Sequence, residues 1–244
     1  MKRVFPLFVF FTILFSGCSF TSSKGFLIGI DPSFSPAVLG GQADNVYGFT
    51  VDLLQAISKV TKVNLRYTQT GSESLFSGLQ LDNFQGVLST LYPQNYETET
   101  YEASNLYFST GPVLVVPYSS NRTRLNQFDS KILGVIANSD AFYIVQQYPH
   151  TVISTFLNPP FLMESLNYGD VDGAVVSLLV AQIFVKNLYN KVLKISSPPL
   201  NNEGLRLITI TNQNKELIEV FNRGLDECKK RGIYQNLLLK WELN

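Results

Sequence analysis

Hydroxyls, amides and carboxylates are the groups this chain offers to chemistry. Its 244 residues include one histidine, His150, and two cysteines, Cys18 and Cys228. These counts supply no cluster at zinc-ligand spacing and no disulfide framework. No P-loop, G-x-S-x-G elbow or paired Cys and His signals nucleophilic or phosphate chemistry. His150 follows Pro149 in a polar loop and reads as surface, and Cys228 falls on the apolar stripe of a late helix and reads as core. The remaining polar groups gather at element ends. Ser72 and Ser74 lie in the loop Gly71-Ser72-Glu73-Ser74, where they either meet a ligand or cap a helix. Ser89-Thr90 ends a strand, and Asp140 follows Asn138-Ser139 between a strand and a helix that Asp140 itself is expected to cap.

These residues need elements to hold them, and the composition allows a folded chain. Apolar residues make up 45%, which excludes disorder, and charged residues 16%, below the roughly 25% of ordinary soluble domains. Nineteen basic and nineteen acidic residues balance, which leaves no general attraction to nucleic acid or acidic membranes. The length predicts one large domain or two small ones. Phe26–Ile30 reads as a buried strand, Phe49–Thr61 as a helix with apolar residues at 49, 53, 57 and 60, and 63–68 as a strand of period two. A short helix near 74–81 and a strand near 86–90 complete a β-α-β-α-β run, the pattern of a parallel sheet covered by helices. Pro112–Val116 is a further strand. Leu133–Ile136 opens a second alternating series, with a helix from Asp140 to about Tyr148, a strand over 171–176 and a helix over 180–188. Ser196–Pro199 reads as a linker and Leu205–Ile210 as a returning strand. A final helix bears apolar residues at 217, 221, 225 and 228 and ends at Gly232 before a last short helix. One α/β unit thus interrupts another, which implies two lobes.

The first segment reads as an address. Lys2-Arg3 precedes twelve uncharged residues, Val4–Phe15, too few to span roughly 30 Å of hydrocarbon. Leu14-Phe15-Ser16-Gly17-Cys18 resembles a bacterial lipobox, in which the cysteine becomes the lipid-bearing first residue; the alternative is an ordinary signal in which Cys18 is incidental. The expected division is 1–17 signal peptide, 18–25 tether, 26–112 with 205–244 as lobe I, and 113–204 as lobe II. Without Lys2 and Arg3 the chain carries 17 basic and 19 acidic residues.

Several segments in order resemble the extracellular solute-binding proteins of family 3, the receptors of polar amino-acid ABC importers. They are Ile28-Gly29-Ile30-Asp31-Pro32-Ser33-Phe34, Gly48-Phe49-Thr50-Val51-Asp52-Leu53, Leu75-Phe76-Ser77-Gly78-Leu79 before Gly86–Thr90, Gly169-Asp170-Val171-Asp172-Gly173-Ala174, and the ending with Gly232 and Lys240-Trp241. The resemblance implies the type II periplasmic-binding-protein fold, two α/β lobes with a cleft between them and two adjacent crossing strands, placed at Pro112–Val116 and Leu205–Ile210. It implies a small polar solute, amino-acid-like, with ABC permease subunits as partners, a monomer, no cofactor and no catalysis.

The resemblance also assigns pocket roles, and two anchors are missing. Phe34 stands where the family places an aromatic that stacks on the solute; the alternative is an ordinary core phenylalanine. The family's carboxylate-binding arginine falls on Asn95 or Glu97, depending on one gap, and no Lys or Arg occurs over the 55 residues from Tyr67 to Asn121. The acid that meets the solute's ammonium falls on Ser177, and the turn that receives its carboxylate reads Asn138-Ser139-Asp140. The expected ligand-binding set is therefore Phe34, Ser72, Ser89, Thr90, Asn95, Glu97, Asn138, Ser139, Asp140, Ser177 and Arg206. Three explanations stand: a neutral or cationic ligand, an amino acid held by Arg206 or Arg122 instead, or a site that has lost binding. An enzyme similar to cyclohexadienyl dehydratase is an alternative, with Glu97 or Asp140 as the acid, and so is a sensory or surface lipoprotein.

Overall fold

A computed structural model describes residues 25–35, 37, 39–90 and 100–243. The expected signal peptide, Cys18 and almost all of the tether lie outside the described residues, as do Asn95 and Glu97. The chain opens with β1 (Phe26–Ile30), α1 (Ala43–Thr61), β2 (Leu65–Gln69), α2 (Ser72–Gln80), β3 (Gly86–Ser89), β4 (Tyr101–Ala103) and β5 (Phe108–Ser109). α1 starts six residues before the expected Phe49, because its buried stripe already includes Val46 ahead of Phe49, Leu53 and Ile57. It stops at Lys62, which turns into the left-handed region at φ 58.

The second unit comprises β6 (Pro112–Pro117), β7 (Ile132–Ile136), α3 (Asp140–Val145), β8 (Val152–Phe156), α4 (Pro159–Tyr168), β9 (Gly173–Ser177), α5 (Leu178–Ile183) and β10 (Leu193–Ile195). A π-helical turn, Phe184–Leu188, continues α5, so the helix expected over 180–188 is two pieces. The chain then returns through β11 (Gly204–Ile210), α6 (Lys215–Lys230) and α7 (Ile233–Lys240). α6 closes at Arg231, and Gly232, at φ 72, opens α7.

Two sheets result. The first has the order β2-β1-β3-β11-β4, with β5 also on β11, and the second has the order β10-β6-β9-β7-β8. β1 pairs parallel with β2 and β3, whereas β11 runs antiparallel to β3. In the second sheet β7 lies parallel between β8 and β9. β6 shows why this sheet is covered on both faces: Val113 and Val115 enter one apolar cluster, Leu114 and Val116 the other. The result is an α/β fold of two lobes.

Two expectations about the crossings change. β6 and β11 do not pair with each other; each belongs to its own sheet. The crossings meet instead at the near ends of these strands, where Thr110 N donates to Glu203 O at 3.1 Å and Leu200 N to Pro112 O at 2.8 Å. Gly111 allows this close approach, since Asn201 Oδ1 occupies the space a Cβ would take there. Nor is 196–199 a free linker. Ser196 N donates to Leu114 O at 2.8 Å, and Ser197 Oγ accepts from Leu114 N at 2.9 Å, so the segment is pinned to β6. No helix among the described residues is long and apolar enough to cross a membrane.

Candidate functional site

Both lobes present polar residues at the carboxyl ends of parallel strands, where open α/β sheets receive ligands. In the first lobe these are the turn after β1, Ser72 beyond β2, and Ser89-Thr90 at the end of β3. In the second they are Asn138-Ser139-Asp140 beyond β7 and Ser177 at the end of β9.

The turn after β1 is built on Asp31, which is 6% exposed. Its carboxylate accepts from Ser33 N (3.0 Å), Ser33 Oγ (2.9 and 2.8 Å) and Ser35 N (3.2 Å). This is an Asx turn, and it carries Phe34 at φ 50, a left-handed conformation that non-glycine residues rarely adopt. The conformation turns the ring inward. Phe34 is 2% exposed and belongs to the first lobe's core cluster, which also includes Leu179 of α5. The ring expected to face a solute is therefore enclosed, and Thr90 Oγ1 donates to its carbonyl at 3.4 Å.

Ser89 is buried and lies opposite Arg206 in the antiparallel register of β3 and β11. Arg206 Nη1 donates to Asn202 O at 3.0 Å. Ser72 is exposed in the first turn of α2, whose N-cap is Gly71, so it does not cap the helix. Arg122 stands apart, its guanidinium 5.3 Å from the Phe128 ring centroid in the second lobe.

In the second lobe the cap falls one residue earlier than expected. Ser139, not Asp140, is the N-cap of α3: its Oγ accepts from Phe142 N at 3.3 Å and donates to Ile136 O at 2.7 Å. Asn138 takes φ 57 to make the turn, and Asp140 becomes an exposed first-turn residue. Ser177, half-buried, pairs in register with Pro112, and Leu178 N donates to Gly111 O at 3.2 Å, so the end of β9 touches a crossing.

Sequence reasoning missed the crossing's acid. Glu203 accepts from Asn201 Nδ2 at 2.6 Å, and the Asp140 carboxyl lies near enough to act on it. Burial, then Asp140, pushes Glu203 up to about 7. Its spacing of 63 residues from Asp140 gave no local signal. Asp31 did have one, the Asp-x-Ser of an Asx turn, although it reads at first as a mere strand stop. Cavities of about 250, 490 and 570 Å3 open elsewhere, and none is lined by Phe34, Ser89, Asp140 or Ser177.

Known proteins resemble this chain in sequence and in fold. The chain is 21% identical over 216 residues to the ABC transporter arginine-binding protein 1 of Escherichia coli K12, covering 87% of this chain and 88% of that one. It is 20% identical over 217 residues to a probable histidine-binding protein of Campylobacter jejuni, covering 88% and 84%. Among solved structures, the L-cystine solute receptor of Neisseria gonorrhoeae, unliganded and open, aligns with TM-score 0.73 and 17% identity over 91% of this chain and 94% of that one. The second substrate-binding domain of a putative amino acid ABC transporter of Streptococcus pneumoniae aligns with TM-score 0.68 and 23% identity, over 88% and 99%. These likenesses show the type II periplasmic-binding fold. The family model of the bacterial extracellular solute-binding proteins, family 3, matches residues 26–244, and the chain belongs to that family.

Proposed function

We propose that the protein is the solute-binding component of an ABC importer, exported to the periplasm or cell surface, where it takes up an amino-acid-like or other small polar solute and hands it to permease subunits. The observation that carries this reading is the family match over 26–244 together with polar residues at the carboxyl ends of parallel strands in both lobes. Relatives named for arginine and histidine binding support an amino-acid-like ligand. Ser89, Thr90, Ser139, Asp140, Ser177 and Arg206 are the contacts we assign to it, with Ser72, Asn138, Asn95 and Glu97 as further candidates. Lobe I is 26–112 with 205–244 and lobe II is 113–204. Cys18 carries a lipid that ties the monomer to a membrane. Melting curves across the twenty amino acids, dipeptides and polyamines test the reading. Solute at about 100 times its dissociation constant adds roughly 2.7 kcal/mol of stability. A screen with no shift defeats it.

The protein is read as a receptor, not an enzyme. One observation suits the dehydratase alternative: the Asp140–Glu203 carboxyl pair offers an acid near neutral pH. Turnover of prephenate or arogenate by purified protein would establish that alternative.

A further inference from the structure

One short helix serves both lobes. α5 belongs to the second lobe by packing as well as by chain, since Val180 and Ala181 enter the apolar cluster of Val113, Val115, Ala174 and Val176. The preceding residue goes the other way. Leu179 is 1% exposed, and among the described residues it is the one member of the first lobe's core cluster that comes from 113–204. Phe34 and Leu39 are in that cluster with it.

Ile183, four residues on and so on the same helix face as Leu179, meets the first lobe too. A Cβ at Gly40 would lie 3.0 Å from Ile183 Cδ1, 3.2 Å from Val180 Cγ2 and 3.5 Å from Val180 Cα. Gly40 takes φ 60, so a residue without a side chain lets the first lobe's loop lie close against the helix. The contact has a rim. A cavity of about 250 Å3 opens there, to which the first lobe contributes Gln42 and Glu242 and the second Gln182, Lys186 and Asn187. At its other end α5 starts from the pivot, where Leu178 N donates to Gly111 O at 3.2 Å.

Apolar surface hidden between two bodies favours their contact in proportion to the area removed from water. Lobes joined by crossings can part without unfolding, so what α5 buries against the first lobe is exposed when they part and covered when they meet. We propose that α5 is a peg of the second lobe seated in the first, and that Leu179 and Ile183, which are outside the assigned solute contacts, hold the present arrangement of the lobes in the solute-free protein. The peg needs no solute and stands apart from the solute-binding reading.

Double electron–electron resonance on the full chain, without solute, tests it. Spin labels go to exposed Glu73 on α2 and Glu164 on α4, introduced as Glu73→Cys and Glu164→Cys in a Cys18→Ser background, and Cys228 is buried. The parent should give one dominant interlobe distance. In Leu179→Lys a seated side chain would be an unpaired buried charge, and parting of the lobes returns it to water. This variant should stay folded by circular dichroism, with the parent distance reduced to under about a tenth of the distribution. Ala181→Lys is the contrast: its site is fully buried in the second lobe's cluster, where lobe movement brings no relief, so it should lose folded protein. A folded Leu179→Lys that keeps the parent distance overturns the peg. A Leu179→Lys that fails to fold, as expected of Ala181→Lys, overturns it as well, because Leu179 would then be core of one undivided body.

Discussion

The indole of Trp241 sits on Gly48, in the space where a Cβ would lie. Its Nε1 donates to Asp52 Oδ2 at 2.8 Å, and Lys240 Nζ reaches the same oxygen at 2.6 Å. Gly48 and Asp52 are one turn apart on α1, so a single helical face receives the end of the chain. The Gly-Phe-x-x-Asp-Leu segment and the closing Lys-Trp are the two halves of one contact.

Replacing Asp52 should expose this. Asp52→Ala leaves the partly buried indole N–H without its acceptor, a loss of about 1–3 kcal/mol. For a chain of this size that lowers the melting temperature by roughly 2–4 °C per kcal/mol. Lys240→Ala removes an exposed ion pair and a cation–π contact 5.1 Å from the Trp241 ring centroid, and should cost about 1 kcal/mol or less. Thermal melts of the two variants check the ranking; equal losses would contradict it.

Phe34→Ala should lower the unliganded melting temperature strongly. The ring is 2% exposed in the core cluster, and truncating such a phenylalanine costs about 3–5 kcal/mol. A variant that melts like wild type but fails to bind solute would return Phe34 to the pocket wall.

Arg206→Lys is the test of the substitute anchor. If Arg206 receives a solute carboxylate beside Ser89, the planar fork is lost and affinity should fall at least about tenfold. Calorimetric titration with the solute found in the melting screen measures it, and unchanged affinity removes Arg206 from the site.

Cys228 should be inert. Burial, above all, pushes its thiol up, and the side chain is fully enclosed in the first lobe's core. Alkylation at Cys228 should run about a hundredfold or more slower in native protein than in guanidinium, read by peptide mass spectrometry. Comparable rates would show the helix to be open.

Period and punctuation made most of the lobe architecture legible. The buried stripe of α6 at 217, 221, 225 and 228, and the strands β1, β3, β6, β9 and β11, stand close to where their apolar runs place them. β8 and α4 were missed although Asn158 and Pro159-Pro160 form a clear helix start, with Asn158 Oδ1 accepting from Phe161 N. β8 has only half-buried and exposed residues, so its alternation is weak. β4, β5 and β10 are three residues or fewer, short enough that only their partners define them. The candidate site was legible as polar residues at strand ends, because turns after strands are written locally. The inward turn of Phe34 depends on Asp31 gripping Ser33 and Ser35, and the Glu203 contact depends on a crossing that brings residue 203 to residue 140. Neither local period nor composition encodes such distances.

The placement of β11 dictates an order of assembly. This strand, contributed after residue 203, lies between β3 and β4 in the middle of the first sheet. A chain delivered amino end first can finish the inner lobe while the outer one still has an empty slot at its centre. Its first hundred residues therefore wait, incompletely joined, until the last forty arrive.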